Sequence, residues 1–304
     1  MPNRSLRSRS GPATPHAVAP GSRRPVSTVP PLDPQYHAPS ALRPVRAKSR
    51  RLGTDVQVEP HQHTWGQVAF SATGVSRVTA VNSTFIVPPS RAVWIPPGVE
   101  HTVTVMQEAD MRTLYLHQPD GRIGPGVAQG EEAAWRHCRV LEVSPLLREL
   151  VLQLSLIDRL HDADPHDPAT QARERLLAAL VLDELRRARP IALGVALPHD
   201  KRLRALCEAV LNAPARHATL EGWAGEAGAS PRTVARLFQR ELGTSFVLWR
   251  QQVLLAKALT MAARRQPMSH IAAELGYASA SAFTAMVTRS VGMPPSKFFA
   301  PAEG

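Results

Sequence analysis

Three histidines offer the first chemistry in this sequence: His61 and His63 in HQHTWGQ, and His101 at the end of IPPGVEH. Neutral imidazole is a ligand for first-row metals such as Zn, Fe, Cu or Ni. Residues two apart in an extended strand share a face, so His61 and His63 are expected to point the same way. With His101 and a side-chain oxygen from Gln67 they could form an effector pocket that holds a divalent metal. The same side chains could instead hydrogen-bond a small ligand directly, or be satisfied within a barrel core. No acid–base pair accompanies them. Glu100 adjoins His101 and should face the opposite side of an extended segment, so no catalytic residue is assigned.

The elements that must position these histidines are short strands. From Gln67 to Val105, β-branched and aromatic runs are broken by Gly74, Asn82–Ser83, Pro88–Pro89 and Pro96–Pro97–Gly98, which suits a small β-barrel or sandwich. RTLYLH, 112–117, adds another strand. HxHxxxQ over His61, His63 and Gln67, followed by PxGxxH over Pro96, Gly98 and His101, resembles the two halves of the cupin signature. Cupins usually carry Glu where this chain has Gln67 and Gly where it has Ser90; an amide is a weaker metal ligand than a carboxylate.

Helical periodicity follows. Ser144–Pro145 reads as an N-cap and first helical position, opening a helix through Leu147, Leu150, Val151, Leu154, Ile157 and Leu160. After the loop HDADPHDP, a second helix over about 171–189 places Leu176, Leu177, Leu180, Val181 and Leu185 on one face and ends at Pro190. These stripes pack on the barrel and on each other, or form a homodimer seam.

The C-terminal third contains an internal repeat. WAGEAGASPRTVARLFQRELGTSF, 223–246, and IAAELGYASASAFTAMVTRSVGMPPSKF, 271–298, share an Ala, a Gly four residues on, a Ser-started helix and a closing Gly. Ala224 and Ala272 allow two helices to cross closely, while Gly228 and Gly276 suit a turn with positive φ, the demands of a helix-turn-helix. Between the repeats, Ser245 caps a helix from Phe246 to about Arg264, with Phe246, Trp249, Val253, Ala256 and Leu259 on its buried face. Nineteen residues at 1.5 Å each span roughly 28 Å. That is comparable with the roughly 34 Å between successive major-groove faces on one side of B-DNA.

This pattern over about 200–300, above all SPRTVARLFQRELGTSFVLWRQQ and HIAAELGYASASAFTAM, resembles the AraC/XylS family of bacterial transcription regulators. With PPSRAVWIPPGVEH and the cupin-like motifs, the likeness extends over roughly 55–300 to the branch with a cupin sensing domain. It implies a transcription factor, commonly effector-responsive and often dimeric. In the first recognition helix, about 231–241, Val234, Leu237 and Phe238 should face inward and Arg232, Thr233, Ala235, Arg236 and Arg240 outward. The resemblance places the base-contacting positions on Arg232, Ala235 and Arg236. Arg232 and Arg236 could read guanine, while Arg240 meets phosphate. In the second helix, about 279–290, the matching positions are Ala280, Ser281, Thr284 and Ala285, with Arg289 at the far end. Small, scarcely charged residues suit shape fit, thymine-methyl contact and phosphate anchoring.

Charge divides along the chain. Residues 1–51 carry ten Lys/Arg and one acid, residues 52–199 thirteen against seventeen, and residues 200–304 thirteen against seven. The first block also has ten prolines and few large apolar groups, so it reads as a flexible tail. A basic C-terminal block beside an acidic middle suggests that only the former meets a polyanion. Cys138 and Cys207 lack metal or disulfide spacing, and no apolar run reaches about 18 residues. A cytoplasmic bacterial protein is expected, nucleoid-associated when bound, with neither membrane span nor signal peptide.

The expected architecture is an α+β multidomain chain: tail 1–51, cupin-like sensing domain 52–140, helical dimerisation or hinge segment 141–190, linker 191–199, and all-α double helix-turn-helix 200–304. The expected function is sequence-specific binding of double-stranded DNA under control of a small effector or metal. The alternative is a metal-dependent cupin enzyme with an accessory DNA-binding domain.

Overall fold

The computed structural model describes residues 27–32, 34–80, 83–89, 91–119, 121–128, 130–163, 167–191 and 194–299. Asn82 of the expected turn, Ser90, and part of HDADPHDP lie outside them, as do residues 1–26 of the expected tail and the last residues of the expected C-terminal domain. The N-terminal half contains β1 (Ser27–Val29), α1 (Pro34–His37), β2 (Val45–Leu52), β3 (Val56–His61), β4 (Gly66–Ala80), β5 (Ser83–Val87), β6 (Arg91–Ile95), β7 (His101–Leu116) and β8 (Arg139–Glu142). Then come α2 (Pro145–Ala163), α3 (Pro168–Arg187), β9 (Pro190–Ile191) and β10 (Gly194–Ala196). The C-terminal part is helical: α4 (Lys201–Asn212), α5 (Leu220–Glu226), α6 (Pro231–Leu242), α7 (Phe246–Ala263), α8 (Met268–Glu274), α9 (Ala280–Val291) and α10 (Pro295–Phe298).

One long strand organises the barrel. β7 pairs along one edge with β3 and then β2, and along the other with β4, so RTLYL of RTLYLH is the end of a 16-residue strand. Alternation sorts its two faces. Leu114 and Leu116, with Val68, Phe70, Ala92 and Trp94, pack beneath α2 and α3. Met111, Thr113 and Tyr115 turn to the interior. Gly66 is required where β4 passes the Trp94 indole, because a Cβ there would lie 2.2 Å from the ring.

The first expected domain boundary is corrected. Residues 45–51, assigned to a tail, form β2 together with Leu52, in eight-residue register with β7. Two of its basic residues, and Arg43 just ahead of it, are anchored by a distant acid: Asp158 of α2 takes Arg43 Nη2 and Arg46 Nε at 2.6 Å each, together with the Lys48 ammonium. The linker expected over 191–199 also contains structure, since β10 adds antiparallel to β5 at the barrel edge.

Local signals set the helix ends. Ser144, Ser230, Ser245 and Ser279 each accept a backbone N–H of the helix they open. The second amphipathic helix begins at Pro168 rather than near 171, because Asp167 caps it. Its expected single face is split: Val181 and Leu185 are buried, whereas Leu176 is 70% and Leu180 49% exposed. On α2, Leu160 of the expected apolar stripe is likewise 59% exposed.

Candidate functional site

The three histidines meet in the barrel interior. His61 closes β3, opposite His101 at the start of β7. His63 lies beyond the strand in a loop, so the same-face argument does not apply to it; the chain turns there, with the Gly98 N–H bonded to the His63 carbonyl at 2.8 Å. The rings still converge, with centroids 4.3 Å apart for His61–His101, 5.3 Å for His63–His101 and 6.1 Å for His61–His63. Glu100 is exposed, away from this cluster.

Each imidazole is oriented through the same nitrogen. Nδ1 lies 2.8 Å from the Glu59 carbonyl in His61, 2.8 Å from that of Trp65 in His63, and 2.9 Å from that of Val99 in His101. A carbonyl only accepts, so Nδ1 carries the proton in all three rings and Nε2 of a neutral ring offers a lone pair. The ligand atoms of the three lie within 4.8 Å of one another. Burial holds His101 neutral, down to about 3, and lowers His63 by the same cause. Buried Gln67 places its Oε1 2.7 Å from His63 Nε2; with Nδ1 protonated that nitrogen offers a lone pair, which the amide's NH2 satisfies once the amide is turned over. The buried His101 Nε2 has no hydrogen-bond partner among the described residues, an orphan that a ligand or metal would satisfy. Three fixed Nε2 donors and an amide that can rotate its oxygen inward fit a first-row divalent ion.

The second group of sequence-assigned residues lies on the helical part. In α6, Val234 and Phe238 are buried, while Arg232, Thr233, Ala235, Arg236 and Arg240 are all exposed. Among the described residues neither Arg232 nor Arg236 has a hydrogen-bond or ion-pair partner, whereas Arg240 Nη2 meets Glu241 at 3.0 Å. In α9, Phe283, Met286 and Val287 are buried and Ala280, Ser281, Thr284, Ala285 and Arg289 exposed. Gly228 (φ 63°) and Gly276 (φ 80°) make the two turns, and Ala224 and Ala272 are buried at the helix crossings. α7 joins the two units, with Phe246, Trp249, Val253, Ala256 and Leu259 all buried. Its 18 residues span about 27 Å at the usual helical rise.

Sequence reasoning missed two groups. Arg50 and Tyr115 line the same pocket as His61 and Gln67. The period-two basic alternation in VRAKSRRL was the available signal for Arg50, but ten nearby prolines masked it. Arg91 was missed too. It is buried between barrel and helices, its Nη2 donates to the Phe298 carbonyl at 3.2 Å, and its guanidinium lies over the Phe298 ring.

Two family descriptions match the chain: an AraC-like ligand binding domain over residues 49–185 and a helix-turn-helix domain over residues 223–300. The HTH-type transcriptional regulator NimR of Escherichia coli K12 is 32% identical over 249 residues, 82% of this chain and 85% of that one. The arabinose operon regulatory protein of Salmonella typhimurium is 27% identical over 132 residues, covering 42% of this chain and 47% of that protein. Among solved structures, ToxT from Vibrio cholerae O395 aligns over 84% of this chain and 97% of its own at 9% identity, with a TM-score of 0.33, too loose a superposition to carry an argument. Among the described residues, no helix is long and apolar enough to cross a membrane.

Proposed function

We infer how the protein works from one premise: the chain belongs to the AraC-type helix-turn-helix transcription regulators, DNA-binding proteins with an AraC-like ligand-binding domain. In our reading α6 and α9 enter successive major grooves on one side of a duplex. Arg232 and Arg236 hydrogen-bond base edges, Thr233 and Ala235 fit beside them, and Arg240 takes a phosphate. Ala280, Ser281, Thr284 and Ala285 follow groove shape and thymine methyls, with Arg289 on the backbone. The observation that carries this reading is the pair of exposed, acid-free guanidiniums of Arg232 and Arg236 on a helix whose opposite face is buried. Selection of preferred sites from random DNA, then footprinting, tests it. Protection of two segments about one turn apart is the expected result; retention governed by salt alone, with no protected sequence, overturns it.

The barrel pocket takes the effector. His61, His63 and His101, with Gln67 as an oxygen donor, would hold a divalent ion, which would act as a Lewis acid fixing an effector oxygen. The chain's own residues set the imidazole tautomers and bury the His63 and His101 rings. Metal analysis of the purified protein checks this: near-stoichiometric metal that falls with His101→Ala supports it, and equal traces in both overturn it. Leu156 and Leu160 on α2, with Leu176 and Leu180 on α3, form exposed apolar pairs four residues apart, suited to a homodimer seam. Leu176→Glu should then shift sedimentation from dimer to monomer. As a regulator it works beside DNA, in the bacterial cytoplasm and on the nucleoid when bound.

A further inference from the structure

The connector helix α7 belongs to two cores at once. Trp249 and Val253 in its first half pack with Trp223 and Phe238 of the first helix-turn-helix unit, whereas Leu255 and Leu259 further along pack with Ile271 and Phe283 of the second. Arg250 lies in the first half and is itself half-buried. A guanidinium withdrawn from water needs acceptors. Its Nε and Nη2 both donate to one, the carbonyl of Pro214, at 3.1 and 2.7 Å.

Pro214 belongs to the turn that leaves α4. The Arg216 N–H bonds to the Ala213 carbonyl at 3.0 Å, which puts Pro214 at the second position of the turn, where its fixed φ is preferred and its own carbonyl is left over. The loop that follows is tied to the first unit. Arg216 Nη1 and His217 Nε2 lie 2.5 and 2.9 Å from the Glu226 carboxylate, and Trp223 Nε1 donates to the His217 carbonyl at 3.0 Å. The tip of the loop reaches the other unit. A Cβ on Gly276, in the turn of the second helix-turn-helix, would stand 3.9 Å from that of Ala215. The next residue, Tyr277, is half-buried with its hydroxyl in the field of Arg250.

An alanine beside a glycine holds little on its own. Two charge-assisted bonds from one planar fork are stronger and directional, so they fix where the loop stands on α7. We propose that Arg250 is a positioning residue for DNA recognition: it braces the 213–217 loop between the two units and so fixes the distance and phase at which α6 and α9 meet the duplex. This rests on the reading of both helices as heads on one duplex. One extra base pair between their sites moves those sites apart by about 3.4 Å and turns one against the other by about 35°. Braced heads cannot follow that shift. Heads joined by α7 alone follow part of it.

The test is binding of the full chain to its footprinted DNA site and to copies with one base pair inserted or removed between the two protected segments. The native chain should lose about ten-fold or more in affinity on either change, the size of one mismatched base pair. Arg250→Ala should bind the original site more weakly, yet lose only about three-fold when the spacing changes, half the native penalty in free energy. Arg250→Lys keeps the charge without the fork and should fall between. A residue that merely stabilises the fold would weaken all three DNAs alike, so an unchanged spacing penalty in Arg250→Ala overturns the proposal, as does a native chain indifferent to spacing. Hydrogen exchange gives a second reading without DNA. Amides of 215–217 and 276–277 should exchange faster in Arg250→Ala while those of α6 and α9 hold, and equal protection of both turns in variant and native chain refutes the brace. Should Arg250→Ala not fold, Arg250→Lys decides alone on the same ratio. Absence of any protected site in the native chain would end the reading of two heads on one duplex, and exchange would then judge the brace by itself.

Discussion

The two helix-turn-helix units share one local design and differ in where they are attached. The first buries Trp223, Val234 and Phe238 against α4, α7 and the linker residues Val195 and Leu197; Trp249 Nε1 donates to the Ala196 carbonyl at 2.7 Å. The second buries Ile271, Phe283 and Phe298 in a cluster continuous with barrel residues Val87, Val93 and Ile95. The unit with the exposed arginines is thus held through the linker, and the unit with small exposed side chains shares a core with the barrel. Its core is shared with the domain that would bind the effector, which positions it to transmit a signal. The first unit meets the barrel sheet through β10 instead of through that shared cluster.

The largest test of this difference uses matched core truncations. Phe238 and Phe283 are both fully buried, so Phe→Ala should cost about 3–5 kcal/mol in either. Their reach should differ. In hydrogen exchange, Phe238→Ala should release α5 and α6 and spare the barrel, whereas Phe283→Ala should also loosen β5 and β6. Equal and local effects would mean that the shared cluster transmits nothing.

Acid separates barrel from helices next. Burial lowers His101 from 6.5 to about 3, so between those values the unfolded chain holds a proton that the native pocket does not. The contribution is complete above about 6.5 and is lost as pH falls toward 3. Barrel unfolding, followed by exchange in β7, should be destabilised over that window, and His101→Gln should flatten the profile. An unchanged slope in the variant would show that the buried imidazole is not the cause.

At the DNA face, Arg236→Ala should cost about 1–3 kcal/mol and relax preference at one base pair. Arg289→Ala should weaken all sequences alike and reduce the salt slope by about one. Binding titrations on selected and scrambled sites at several salt concentrations separate the two. A loss of preference from Arg289→Ala equal to that from Arg236→Ala would break the contrast between the units.

How much could be read from sequence followed from how local each cause is. The two heads were legible because a serine cap, a small crossing residue and a turn glycine act within a few positions, as at Ser230, Ala224 and Gly228. The convergence of the histidines was legible as a motif, but the route was not, since His63 reaches the cluster from a loop. β2 was hidden because its cations look solvent-facing until Asp158 arrives from 112 residues away. β10 and the Arg91–Phe298 contact were hidden for the same reason, each depending on a partner that only the folded chain supplies. The split faces of α2 and α3 show the limit of periodicity. It marks which residues are apolar and leaves open which of them another surface covers.

The smallest expected effect is the most exacting for the comparison. Ala285 is exposed on α9, and its side chain has no hydrogen-bonding group. Serine adds one hydroxyl to a solvent-facing position, so helix stability should change by no more than about 0.5 kcal/mol. If α9 reads shape, the added hydroxyl finds no obligatory partner and site preference should remain within two-fold. A base-reading role would give a different outcome, since a new donor and acceptor at a base edge discriminates by about 1–3 kcal/mol only when well paired. Repeating the site selection with Ala285→Ser decides between them. An altered consensus in the half-site under α9 would give that helix the reading role assigned to α6, while an unchanged consensus beside the relaxed one of Arg236→Ala would keep sequence reading on the first unit.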